Sequence, residues 1–445
     1  MSTPASGPLA ISDRVQHLAE SATIAAGARA AALKAQGKDV LAFAMGEPDF
    51  VTPEPIRKAA IAAIERGLTH YAPTAGDKDC REAIAEKLKR ENGIDCVPEH
   101  VTVTVGAKHA VYLALQTLLD PGKGQEVILP TPAWVSYRPL IELAGGACVE
   151  VAGPMENGFK ITPEQLERAI TPRTVAVLFN SPSNPCGTTY SPDEISALAA
   201  AIERHPQLTV ISDEIYEKLV YPEVTPGLRA VSFGSFPALA NRTVTVNGMS
   251  KAFAMTGWRI GYLCCPGGGG RFTREVVKLQ AQMTNGIPTF LMPAIVEALR
   301  HGGAGVEEMR TRFAARARLM HAGLSAIPRL RCAASDGAFY SFPDVSGCLG
   351  LVTPAGRVVG SGKDFADALL DEALVSTVSG EEFGACARNH IRLSFACSEE
   401  TIARGLERIG SFVASLRGGS GRGPATLLEH PVEGAVRAEA VRSRP

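Results

Sequence analysis

The sequence predicts an α/β fold: a large unit built on a mostly parallel, seven-stranded sheet, followed by a smaller α+β unit. Three observations carry this expectation. Short apolar runs alternate with helix-period segments through the first two-thirds of the chain. The links between them are short and carry stop-and-turn signals, as in Leu119-Asp120-Pro121-Gly122. The last third changes character, with one long helical stretch and only two strand-like runs.

In chain order, residues 1–12 are small and polar and are expected to be disordered. The strand candidates are Val101–Val105, Glu126–Leu129, Val149–Val151, Val175–Phe179, Thr209–Ser212, Val244–Val246 and Ile260–Cys264. Helical patterns between them cover Ala107–Leu119, Pro163–Ala169, Ser191–Glu203 and Arg271–Gln280. Glu307–Ile327 reads as one long helix. Ala338–Pro343 and His390–Phe395 are strand-like, with helices at Asp364–Glu372 and Glu399–Ser415. Residues 417–445 have no sustained apolar period; such a tail cannot bury enough surface to offset its ordering entropy, so it is expected to be disordered.

The bulk numbers narrow the function classes. A chain of 445 residues with 45% hydrophobic and 20% charged residues can bury a substantial core. A net charge of −1 supplies no field for nucleic acid or an anionic membrane, so small-molecule chemistry is expected, with no nucleic-acid or membrane partner. The ten cysteines follow no repeating spacing and include no C-x-x-C, so the expectation is reduced thiols, no metal site and a cytoplasmic location. The N-terminus lacks the pattern of a signal peptide, and no apolar run is long enough to span a bilayer.

In an open α/β sheet, ligands bind beyond the carboxyl ends of the strands. Gly106-Ala107-Lys108 follows the first strand run and opens a helix, where backbone N–H groups meet an anion; a plain strand-to-helix turn would look the same. Asn180-Ser181-Pro182-Ser183-Asn184-Pro185 follows the fourth, and its prolines stiffen a loop that presents Asn184. Asp213-Glu214-Ile215-Tyr216 follows the fifth; an acid there is often only a helix cap. Asn247-Gly248-Met249-Ser250-Lys251 follows the sixth and sets a lysine among small, apolar residues, with Arg259 downstream.

Together these candidates match the needs of pyridoxal 5'-phosphate chemistry. That cofactor requires a lysine for a Schiff base, an acid against the pyridine nitrogen, phosphate donors and a clamp for the substrate carboxylate. At this point the chain resembles the class I aminotransferases of pyridoxal-phosphate fold type I, in the subgroup of bacterial aspartate aminotransferases. The resemblance covers roughly residues 12–416. It rests on Gly46-Glu47-Pro48-Asp49-Phe50, Tyr71-Ala72-Pro73, Asp213-Glu214-Ile215-Tyr216 and the run S-K-A-F-A-M-T-G-W-R-I-G from Ser250 to Gly261.

The resemblance implies roles. Lys251 corresponds to the Schiff-base lysine that later moves the substrate proton, Asp213 to the partner of the pyridine nitrogen, and Tyr216 and Asn184 to donors for the ring oxygen. Trp134 corresponds to the stacking aromatic. Gly106, Ala107, Lys108, Ser250 and Arg259 correspond to the phosphate surroundings, and Tyr71 to a tyrosine that reaches the phosphate of a neighbouring subunit, so a homodimer is implied. On the substrate side, Arg392 corresponds to the fork on the α-carboxylate, Gly46 to a backbone contact beside it, and Lys108 and Thr23 to the pocket for a distal carboxylate; Trp134 and Asn184 face the substrate as well. Residues 13–49 are implied to join residues 307–416 in the small domain, with residues 50–306 forming the cofactor domain.

The implied activity is transfer of an amino group from an amino acid, aspartate or another dicarboxylic one first, to a 2-oxo acid such as 2-oxoglutarate. Three departures from the family pattern stand out: Ala133 replaces an aromatic residue, Gln282-Met283-Thr284-Asn285-Gly286-Ile287-Pro288 replaces a Ser/Thr-rich segment, and Ser379-Gly380 replaces Pro-Gly. The second keeps open a donor that is neutral, aromatic or unusual. A lyase or cyclase using the same Lys251 and Asp213 also stays open. A non-catalytic relative is disfavoured, because every catalytic position is filled and no DNA-binding segment is appended.

Overall fold

The computed structural model describes residues 9–16, 18, 22–418 and 436–437. Seven strands form the expected sheet in the order Ala147–Ala152, Glu126–Thr131, Thr174–Asn180, Thr209–Asp213, Thr243–Gly248, Gly261–Cys264, Val101–Thr104. Neighbours are parallel as far as Thr243–Gly248. Gly261–Cys264 runs antiparallel to both of its neighbours, so Val101–Thr104 points the same way as the parallel set. The strands read as near-continuous apolar runs because helices cover both faces and little of either face meets solvent.

The register brings the chemistry to one edge. Asn180 pairs with Asp213, Asp213 with Val246, Gly248 with Gly261, and Gly261 with Thr104. The carboxyl ends of four strands and the start of the reversed one therefore line a single crevice.

A second unit packs beside this edge. Val378–Ser379, Ile391–Ser394 and Tyr340–Ser341 make a three-stranded sheet, covered by helices Gly303–Ala326, Gly362–Ala373 and Glu399–Ser415. The N-terminal part of the chain joins it: Leu41–Ala42 pairs in parallel with Val375–Ser376.

Some expectations need correcting. Ala338–Pro343 shrinks to the strand Tyr340–Ser341, because Ala338 takes a positive φ of 52°. The sequence reading passed over helices Ala22–Ala35, Glu54–Glu65, Lys78–Asn92 and Met292–His301. Lys78–Asn92 is dominated by charged residues, which mask its buried face of Cys80, Ala83, Ile84 and Leu88. Gly267–Gly270, expected as a loop, has left-handed φ at Gly268, Gly269 and Gly270. Within the tail expected to lie outside the fold, Arg417–Gly418 pairs with Leu351–Val352, and Val436–Arg437 adds an antiparallel eighth strand beside Ala147–Ala152. Backbone pairing at an open strand needs no apolar period, so composition gave no sign of it. The expectation for residues 1–8, 419–435 and 438–445 lies outside the described residues.

Candidate active site

A cavity of about 280 Å³ opens where the strand ends meet the second unit. Its lining brings together Thr23, Gly46, Ala107, Lys108, Trp134, Asn184, Asp213, Tyr216, Ser250, Lys251, Arg259 and Arg392. Gly106 precedes the lining residue Ala107 without itself lining the cavity, and Tyr71 does not enter it; Tyr71 is 93% exposed. The Met283–Pro288 segment also stays out of this chain's own cavity.

Lys251 sits just past the Thr243–Gly248 strand. Its Nζ donates to the Gly46 carbonyl oxygen at 2.7 Å. Burial, joined by the nearby Arg392 and Arg259, outweighs the Glu47 charge and lowers its pKa to about 8. Asp213 ends the adjacent strand. Desolvation raises its pKa to about 6, against two hydrogen bonds that favour the charged form. Tyr137 Oη donates to its Oδ2 at 2.7 Å and the Ile215 N–H to its Oδ1 at 3.2 Å.

The anion-facing corner is built from close approaches. Gly106 has a φ of 80° and a ψ of 162°, and a Cβ on it would stand 2.5 Å from Arg259 Nη2. A Cβ on Gly261 would stand 2.3 Å from the Gly106 carbonyl carbon. The start of helix Ala107–Leu118 therefore faces the cavity beside Arg259 and the buried Ser250. Helix N–H groups, a hydroxyl and a guanidinium form a donor set suited to a phosphate dianion.

Arg392 holds the opposite side and is almost fully buried. Its Nη1 donates to Asn184 Oδ1 at 2.9 Å and its Nη2 to the Ala44 carbonyl at 2.5 Å. Its Nε and Thr23 Oγ1 are buried without a partner in the chain, which suits a ligand that brings acceptors. Asn184 is steadied in turn, its N–H donating to Asn180 Oδ1 at 3.0 Å. Lys108 Nζ lies 4.8 Å from the centre of the Trp134 ring. Burial first, and Arg259 second, lower its pKa.

Sequence reasoning missed two residues here. Tyr137, the donor to Asp213, lies one turn after Trp134, in a segment that could have been searched because it follows a strand end. Tyr340 lines the cavity and shares a 2.8 Å hydroxyl contact with Tyr216. Only the pairing of Tyr340 with Ser394 brings it to the Arg392 face, and nothing local in the sequence signals that. Ser379 also gains an account: its Oγ accepts from the Glu381 N–H at 3.3 Å and so caps the turn Gly380–Phe383.

The model of the family described as aminotransferase class I and II matches residues 38–409. The chain belongs to this aminotransferase family. An aspartate/prephenate aminotransferase of Cereibacter sphaeroides is 41% identical over 91% of this chain and 99% of its own length. An aspartate aminotransferase of Geobacillus stearothermophilus is 42% identical over 91% of this chain and 98% of its own. Among solved structures, the aspartate aminotransferase of Rhizobium meliloti superposes with a TM-score of 0.87 at 40% identity, covering 92% of this chain and all of the other. That of Thermus thermophilus with maleate gives 0.83 at 41% identity, covering 91% of this chain and all of the other. The aminotransferase is of pyridoxal-phosphate fold type I, and its cofactor is pyridoxal 5'-phosphate. The glycine-lined anion corner, the buried acid and the half-buried lysine fit that group. Among the described residues, no helix is long and apolar enough to cross a membrane.

Proposed function

We propose that this aminotransferase takes its amino group from aspartate or another dicarboxylic amino acid and passes it to a 2-oxo acid such as 2-oxoglutarate. The observation that carries the reading is a cavity whose lining sets two further cationic side chains, Arg392 and Lys108, beside Lys251 and Arg259. Arg392, held by Asn184 and Ala44, takes the α-carboxylate; Lys108, beside Trp134, takes the distal one. The aspartate aminotransferases of Rhizobium meliloti and Geobacillus stearothermophilus support the same donor through their likeness to this chain.

When bound, pyridoxal 5'-phosphate supplies a carbonyl carbon for the amino group and a ring that takes up the electron pair released at Cα. The Lys251 amine would hold the group, and a pKa near 8 leaves a useful share of free base at neutral pH. Nζ then carries the proton that leaves Cα. Asp213, fixed by Tyr137 and the Ile215 N–H, would hold the ring nitrogen's proton. Tyr216 and Asn184 would donate to the ring oxygen. Gly106, Ala107, Lys108, Ser250 and Arg259 would surround the phosphate, with Trp134 against the ring. Gly46 lies beside the α-carboxylate and Thr23 beside the distal one.

A donor panel of aspartate, alanine and phenylalanine with 2-oxoglutarate as acceptor tests the reading. Aspartate should give the highest kcat/KM. Lys108→Ala should lower aspartate roughly tenfold to a hundredfold, the worth of a charge-assisted bond, and leave the neutral donors nearly unchanged. Arg392→Ala should weaken every donor. An equal effect of Lys108→Ala on acidic and neutral donors overturns the acidic pocket. Release of ammonia without glutamate would favour a lyase.

A homodimer belongs to the same reading. Tyr71 projects into solvent from this chain, as it must if it serves a neighbour's phosphate. Its loop is pinned to the segment after helix Gly267–Ala281: Thr74 Oγ1 donates to Asn285 Oδ1 at 2.8 Å, and Thr289 Oγ1 to the His70 carbonyl at 2.5 Å. A cytoplasmic location is proposed on the reduced cysteines, all ten of which are free thiols.

A further inference from the structure

Tyr340 enters the cavity from the three-stranded sheet, opposite the strand ends that carry Lys251 and Asp213. It is 1% exposed, and Tyr216 is 4% exposed. Their hydroxyl oxygens are 2.8 Å apart. On its other side, the Arg392 guanidinium lies 4.7 Å from the Tyr340 ring centre. The two are diagonal neighbours on one sheet face, since Ser394 pairs with Tyr340. Gly46 leaves room for the hydroxyl: a Cβ there would stand 2.1 Å from Tyr340 Oη. The same Gly46 accepts from Lys251 Nζ.

A hydroxyl has one proton to give and two lone pairs to accept with. Once Tyr216 directs its proton at the ring oxygen, as proposed above, it can only accept from Tyr340. A donor that itself accepts a hydrogen bond is polarised into a stronger donor, the more so in a buried setting.

We propose that Tyr340 is a positioning residue: by donating to Tyr216 Oη, it fixes the direction and strength of the Tyr216 bond to the cofactor's ring oxygen, while its ring seats the Arg392 guanidinium. This rests on the ring-oxygen role given to Tyr216. The charged groups around the pair are Arg392 and Lys251, with Asp213 behind Tyr216 and Glu47 beyond Lys251.

The test is the pH titration of the holoenzyme's visible absorbance in four proteins: the parent, Tyr340→Phe, Tyr216→Phe and the double variant. Phenylalanine keeps the ring on Arg392 and removes only the hydroxyl. Tyr340→Phe should raise the apparent pKa by roughly 0.3–1 unit, the worth of part of a hydrogen bond. Tyr216→Phe should raise it further. Added to Tyr216→Phe, Tyr340→Phe should move nothing more, because its effect passes through Tyr216. Equal shifts in both backgrounds, or none in the parent, overturn the inference. A titration unmoved by Tyr216→Phe overturns the ring-oxygen assignment itself, a separate failure that takes this inference with it.

Discussion

At the scale of single residues, two groups facing the cavity are pushed towards neutrality from opposite sides. Asp213 is raised to about 6 and Lys251 lowered to about 8, both chiefly by desolvation. The ordinary value for Asp213 is 3.8, so between about 4 and 6 the folded apoprotein holds a proton that the unfolded chain has lost. The stability this group contributes is therefore present below pH 4 and lost as pH rises through 6. Asp213→Asn removes that loss. The variant apoprotein should be more stable than the parent at pH 7.5 by about 1–3 kcal/mol, and the two should converge towards pH 4; urea midpoints across pH check this. Turnover should move the other way, falling roughly a hundredfold or more while cofactor binding persists, because an amide is a poor anchor for the ring proton. Lys251 and Asp213 could be singled out in the sequence because each follows a strand end where a ligand would lie, whereas Arg392 came only from the family resemblance. Tyr137 and Tyr340 were not legible, since a tyrosine in an apolar run reads as core until its hydroxyl partner is known.

At the scale of elements, the seven strands were legible to within about two residues at most ends, because apolar runs bounded by turns leave little choice. Charge masked the buried face of Lys78–Asn92, whereas Met292–His301 was passed over although its apolar face is plain in the sequence. The site depends on one strand-to-helix junction more than on any helix. Gly106 occupies a backbone region open in practice only to glycine and lies against Arg259. Gly106→Ala should therefore strain the turn and displace the guanidinium, at a cost of about 1–3 kcal/mol. The expected result is cofactor affinity weakened roughly fivefold to a hundredfold, with the fold retained. Equilibrium dialysis against pyridoxal 5'-phosphate and circular dichroism measure the two parts separately.

At the scale of the molecule, one surface is more apolar than a lone chain needs. Ile61 and Ile64 are at least half exposed on helix Glu54–Glu65, which packs beside Thr289–Leu291, and Tyr71 and Met283 are exposed as well. Exposed apolar side chains of this kind are where the proposed partner subunit would sit. Ile64→Asp tests the homodimer. On a monomer's surface it should change stability by less than about 0.5 kcal/mol. At a subunit boundary it should shift the mass seen by light scattering from dimer towards monomer and lower activity in step. An active species of monomer mass in the parent protein would remove the partner subunit from the proposal.

The pairing of Leu41–Ala42 with Val375–Ser376 has a consequence in time as well as in space. Arg392, which donates to the Ala44 carbonyl, stands 348 residues from it along the chain. Closing so long a loop costs little in the finished protein, because that entropy grows only with the logarithm of length, but it waits on the chain being made. While the ribosome is adding the residues around Arg392, the seven strands that carry Lys251 and Asp213 have already been made. The proposed carboxylate clamp has not. A chain that stops before Arg392 lacks the proposed clamp, so the Lys251 amine meets that substrate grip only after residue 392 has been added.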